Sequence, residues 1–183
     1  MNDNVTQEEL NWMKKALASA QKALEAGEFP VGCILVSQGR IVGQADRIHS
    51  KGDLQNELDH AEILALRDWI NRGRPGGTFT AYTTLEPCLM CLGALILNGA
   101  KAIVYSYEDI MGGATAIDFD RPFSRASHTE PARMLEHLYR DFAKRIKGPV
   151  LREESLELFK RFFSMPGNTY LKDTLLEAYT LAQ

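Results

Sequence analysis

Phe79-Thr80-Ala81-Tyr82-Thr83-Thr84-Leu85-Glu86-Pro87-Cys88-Leu89-Met90-Cys91 passes from a strand pattern directly into a helix that carries two cysteines. The apolar and β-branched run from Phe79 to Thr84 reads as a strand. The helix that follows ends at Asn98-Gly99, and Lys101 to Tyr107 reads as the next strand. Pro87 suits the first turn of that helix, where its missing N–H costs nothing. Cys88 and Cys91 stand three apart, so both fall on one face near the N-terminus. The positive end of the helix dipole lowers thiol pKa and favours thiolate, the form that binds metal.

Upstream, Thr6-Gln7-Glu8-Glu9 reads as a capping box. It opens an amphipathic helix through Leu10, Met13, Leu17, Ala20 and Leu24, which stops at Gly27. Val31 to Val36 and Ile41 to Gly43 flank a turn at Gln38-Gly39-Arg40, the pattern of a β-hairpin. A polar stretch from Arg47 to Leu58 precedes a second helix, about His60 to Asn71. Downstream, Gly112-Gly113 opens an irregular stretch through Phe123, a candidate substrate loop. Helices are expected over Pro131 to about Ala143, Glu153 to Phe163 and Tyr170 to Ala182, with a short strand at Ile146 to Val150. Strands alternating with helices imply a three-layer α/β fold. At 183 residues it should be one domain, with a C-terminal helical extension from about 164.

His60-Ala61-Glu62 lies upstream of the cysteine pair, with His60 28 residues before Cys88. Imidazole and two thiolates are zinc-type donors, and three protein ligands leave a fourth position for water or hydroxide. Other readings compete. Asp59 and Glu62 have capping-box spacing, which would make Glu62 only a helix starter. His49 is the nearest spare residue for a closed four-ligand site, and Cys88 and Cys91 could pair as a disulfide. Cys33 reads as a buried apolar residue, Trp12 and Trp69 as core or interface, and Phe29 as core or as a ring stacked on a planar substrate.

Hydrophobic residues make up 45% and charged residues 25%, ordinary for a soluble globular chain. Three cysteines argue against a secreted disulfide scaffold, and Met1-Asn2-Asp3-Asn4 has no signal-peptide character. No apolar run reaches the ~20 residues needed to span a bilayer, so a cytoplasmic protein without membrane association is expected. The net charge of −3 gives no global case for nucleic acid. The basic residues between Arg121 and Arg152 are interleaved with acids, as on a solvated helix face.

His60-Ala61-Glu62 with Pro87-Cys88-Leu89-Met90-Cys91 resembles the H-x-E…P-C-x-x-C signature of zinc nucleobase deaminases. Together with Phe29-Pro30-Val31-Gly32 and Thr84 to Ala94, it resembles the cytidine deaminase-like superfamily, in the branch of tRNA adenosine and guanine deaminases. Glu154 to Phe163 gives a fainter echo of the tRNA enzymes. The resemblance implies a mixed five-stranded sheet between helices, usually in a homodimer. It also implies one zinc ion on His60, Cys88 and Cys91, with Glu62 as the proton shuttle. Phe29, Val31, Ala61 and Glu86 are expected at the substrate. Relatives carry a base- or sugar-contacting asparagine after the hairpin, and counting from Gly43 puts Asp46 there. An acidic residue there favours a substrate group with N–H donors. Asn56-Glu57-Leu58-Asp59 replaces the usual Asp-Pro-Thr-Ala, and the C-terminus lacks a basic helix. The expected activity is therefore deamination of a free base or nucleoside, a small-molecule heterocycle. Adenosine in tRNA is the alternative, and a non-catalytic zinc module a third reading.

Overall fold

The computed structural model describes residues 5–52, 55–117, 138–139 and 142–183. The five-stranded sheet is ordered β2-β1-β3-β4-β5, with β1 Gly32–Ser37, β2 Arg40–Asp46, β3 Phe79–Leu85, β4 Ala100–Tyr107 and β5 Ile146–Lys147. β1 runs antiparallel to both β2 and β3, whereas β3, β4 and β5 are parallel, so the sheet is mixed. Among the described residues the helices with both ends defined are α1 Gln7–Glu25, α2 Ala61–Asn71, α3 Leu89–Leu97, α4 Arg152–Phe163 and α5 Leu175–Leu181.

Strand alternation sorts the sheet faces. Ile34, Val36, Tyr82 and Val104 pack with Met13 and Ala16 of α1. Cys33, Leu35, Ala81 and Ile103 pack on the other side with Ala65 and Trp69 of α2 and Leu92 and Leu95 of α3. Two glycines let helices sit directly on strands. A Cβ on Gly32 would come within 2.3 Å of the Ala16 carbonyl oxygen, and one on Gly43 within 2.6 Å of that of Ala65. A side chain at either position would push a helix off the sheet.

Thr6 and Glu9 form the expected capping box, and Gly27 and Gly99 take positive φ beyond the ends of α1 and α3. The hairpin turns on Gln38 and Gly39, both at positive φ, as a two-residue turn between twisted strands requires. Trp69 is a core residue, Cys33 is fully buried, and partly buried Trp12 packs against the α1 cluster. Three expectations need correction. Pro87 precedes the N-cap Cys88 instead of sitting in the first turn of α3. The last helix is Leu175–Leu181, not Tyr170 to Ala182, because Leu171 and Asp173 take positive φ and Thr174 caps the restart. The strand sought over Ile146 to Val150 is limited to two residues. The helix over Pro131 to Ala143, and the substrate loop beyond Ile117, lie largely outside the described residues. No described helix is long and apolar enough to cross a membrane.

Candidate active site

The antiparallel and parallel pairings bring six element ends to one edge of the sheet. The carboxyl ends of β2, β3 and β4 lie there with the start of β1, and the N-termini of α2 and α3 join them. In open α/β sheets ligand sites form outside the carboxyl ends of strands. A cavity of about 180 Å³ occupies this edge. Its walls include Phe29, Val31, Leu85, Met111 and Leu176, and its polar groups include Arg47, Glu57, His60, Glu62 and Cys88.

His60 is the N-cap of α2 and Cys88 the N-cap of α3, and neither side chain makes a capping hydrogen bond. The role usually given to an N-cap side chain is therefore unused, and both point to the same place. His60 Nδ1 lies 3.4 Å from Cys91 Sγ and 3.7 Å from Cys88 Sγ. Tetrahedral zinc with ordinary Zn–N and Zn–S bonds separates such atoms by about 3.5 Å. The donor set and spacing fit zinc. Among the described residues, the group able to hold an ion consists of His60, Cys88 and Cys91. His49 instead pairs with Asp59 at 2.7 Å, so it completes no closed site, and the three cysteines are free thiols.

Hydrogen bonding from Cys91 and then from His60 pulls the Cys88 thiol down to about 4. Cys91 moves the opposite way, through its hydrogen bond to Cys88 and its burial. Cys88 is therefore the readier thiolate.

Glu62 does not cap α2, because the helix begins one residue later than the Asp59 capping box requires. It is 3% exposed, and burial pushes its carboxyl above the usual range. Thr83, on the α2 face of β3, donates to Glu62 Oε1 at 2.8 Å, and Glu62 Oε2 lies 3.5 Å from Cys91 Sγ. The carboxylate therefore faces the metal group from a dry wall.

Of the expected substrate residues, Phe29, Val31, Ala61 and Glu86 line the cavity. Phe29 also belongs to the core, packing against Phe159, Phe162, Phe163 and Tyr170. Glu86 holds the loop after β4. Its Oε2 accepts from the Asp109 N–H, and its Oε1 accepts from the Thr115 N–H and hydroxyl.

Asp46 does not line the cavity; Arg47 does. Gly43 faces α2, and two-residue alternation then puts Ala45 and Arg47 on the same side. Asp46 falls on the α1 side, where Lys22 is its nearest charge influence. A basic side chain thus lines the cavity where an acidic acceptor was expected. Arg47 is 2% exposed. It donates to the Asn56 carbonyl at 2.9 Å, Glu57 Oε2 at 3.2 Å and the Tyr170 hydroxyl at 3.3 Å. Its Nε has no partner among the described residues.

Arg47, Glu57, Tyr170 and Leu176 were not singled out as pocket residues from the sequence. Counting alternation forward from Gly43 could have found Arg47. Nothing local marks Tyr170, which reaches the pocket from more than 100 residues away.

Residues 6–107 match the family model for the cytidine and deoxycytidylate deaminase zinc-binding region. The chain is 37% identical over 168 residues to a tRNA-specific adenosine deaminase 2 of Xenopus tropicalis, covering 87% of this chain and 91% of that protein. It is 38% identical over 118 residues to the tRNA-specific adenosine deaminase of Bacillus subtilis (strain 168), covering 61% and 68%. A solved structure from a study of A-to-I editing by tRNA:A34 deaminases at the wobble position matches with a TM-score of 0.61 and 27% identity. That match covers 81% of this chain and 98% of the other.

Proposed function

The chain belongs to the cytidine and deoxycytidylate deaminase family of zinc-dependent hydrolytic enzymes, and we propose that it converts adenosine to inosine within tRNA. The observation that carries the choice of substrate is the near-full-length likeness to a tRNA-specific adenosine deaminase, which continues well beyond the two metal motifs. This favours the tRNA reading over the free base or nucleoside. The cavity is consistent with it: apolar walls and a volume near 180 Å³ suit a single heterocycle. An enzyme of this kind takes a base splayed out of its strand, leaving the rest of the polynucleotide outside.

His60 Nδ1 and the Cys88 and Cys91 sulfurs would hold zinc, which would supply water with its pKa lowered to about 7. Glu62 accepts a proton from that water at Oε2, the oxygen not held by Thr83. It returns the proton to the ring nitrogen beside the amino-bearing carbon as the C–O bond forms. The same carboxyl then carries the proton of the newly added hydroxyl to the amine, the C–N bond breaks to release ammonia, and the oxygen is left as C=O. Burial helps Glu62 carry a proton in both directions, because its charged and neutral forms lie closer in energy. Phe29, Val31 and Ala61 enclose the ring, and Arg47 lies in the wall with its terminal nitrogens tied to Asn56, Glu57 and Tyr170.

A substrate panel tests the choice. Zinc-loaded protein is offered tRNA, with inosine read by nuclease digestion and chromatography, beside free adenine, guanine, cytosine and their nucleosides, with ammonia as readout. Inosine in tRNA with little turnover of the free compounds is expected. Turnover of a free base or nucleoside with tRNA left untouched contradicts the proposal.

A further inference from the structure

We propose that Glu57 is a positioning residue for the zinc ligand His60, and that Arg47 and Tyr170 hold it in place. His60 turns Nδ1 toward the two sulfurs. Its other nitrogen, Nε2, lies 3.2 Å from Glu57 Oε2. A carboxylate there accepts the Nε2 proton and leaves the Nδ1 lone pair free for the metal. It also fixes the plane of the ring. The same Oε2 accepts from Arg47 Nη2 at 3.2 Å and from the Tyr170 hydroxyl at 3.1 Å.

The side chain of Glu57 is 59% exposed, so without these donors it would be a free surface carboxylate. Arg47 is buried, and its second terminal nitrogen is tied to the Asn56 carbonyl, which anchors the clamp to the backbone of the loop. Tyr170 is itself packed against Phe29. The segment between α4 and α5 is thereby connected through one carboxylate oxygen to a metal ligand. The inference concerns zinc binding and holds whichever heterocycle is the substrate.

The test is the zinc dissociation constant of the full chain, measured by chelator competition, with the melting midpoint of the metal-free form recorded beside it. Glu57→Ala is expected to weaken zinc binding by about 10- to 100-fold, with the metal-free midpoint unchanged. Glu57→Gln keeps an acceptor oxygen for His60 and should recover most of that loss. Tyr170→Phe, which removes one donor to Glu57, should fall between wild type and Glu57→Ala. Zinc affinity equal to wild type in Glu57→Ala overturns the proposal. So does an equal loss in the Ala and Gln variants that tracks a lowered metal-free midpoint, because Glu57 would then only brace its loop.

Discussion

The two sides of the pocket are built on different principles. On the metal side, His60, Glu62, Cys88 and Cys91 come from the first turns of two helices laid on one sheet face, and Glu62 and Cys91 are buried. On the rim side, Arg47 follows a strand, Glu57 sits in a loop and Tyr170 comes from an irregular segment between helices. The first group is placed by short-range helix geometry. The second is placed by tertiary contacts spanning 113 residues or more in two of its three pairings. Local geometry places the metal donors and the carboxylate, and long-range assembly places the side chains that brace them.

Substitutions on the two sides should therefore fail differently. The largest effect is expected on the metal side. Cys91→Ser replaces a thiolate with a hydroxyl, a poor zinc donor, so zinc by elemental analysis should drop to trace levels and ammonia release to background. Retained zinc and activity would mean that the ligand set is wrong. The rim should respond more mildly. Arg47→Met removes a charged donor of about the same length. The zinc dissociation constant should rise by about tenfold, the scale of one lost hydrogen bond to a charged group, with little change in kcat once zinc is saturating. A large fall in kcat at saturating zinc would erase the distinction between the two sides.

How legible each side was follows from the same contrast. The capping box at Thr6, the strand into the cysteine helix, and the stops at Gly27 and Gly99 are local signals, and each stands where the sequence puts it. The metal group was readable because His-x-Glu and Cys-x-x-Cys each fit within one helical turn. Asp46 stands on the face away from the cavity, because a single step along a strand reverses the face. The extra residue Val42, at the irregularity between Leu35 and Val36, makes such counting fragile along β2. The C-terminal helix was read too long because its apolar spacing starts at Tyr170. Positive φ at Leu171 and Asp173 interrupts the helix and frees Tyr170 for the pocket. No periodicity in the sequence carries that information.

The account rests most heavily on Glu62 as the group that moves protons, in place of a helix cap or a bystander to zinc. Single-turnover inosine formation by Glu62→Gln, with zinc content measured on the same sample, tests it most directly. The predicted result is full zinc occupancy with a rate lowered by about two to four orders of magnitude. A variant that keeps its zinc and deaminates at the wild-type rate would contradict the mechanism.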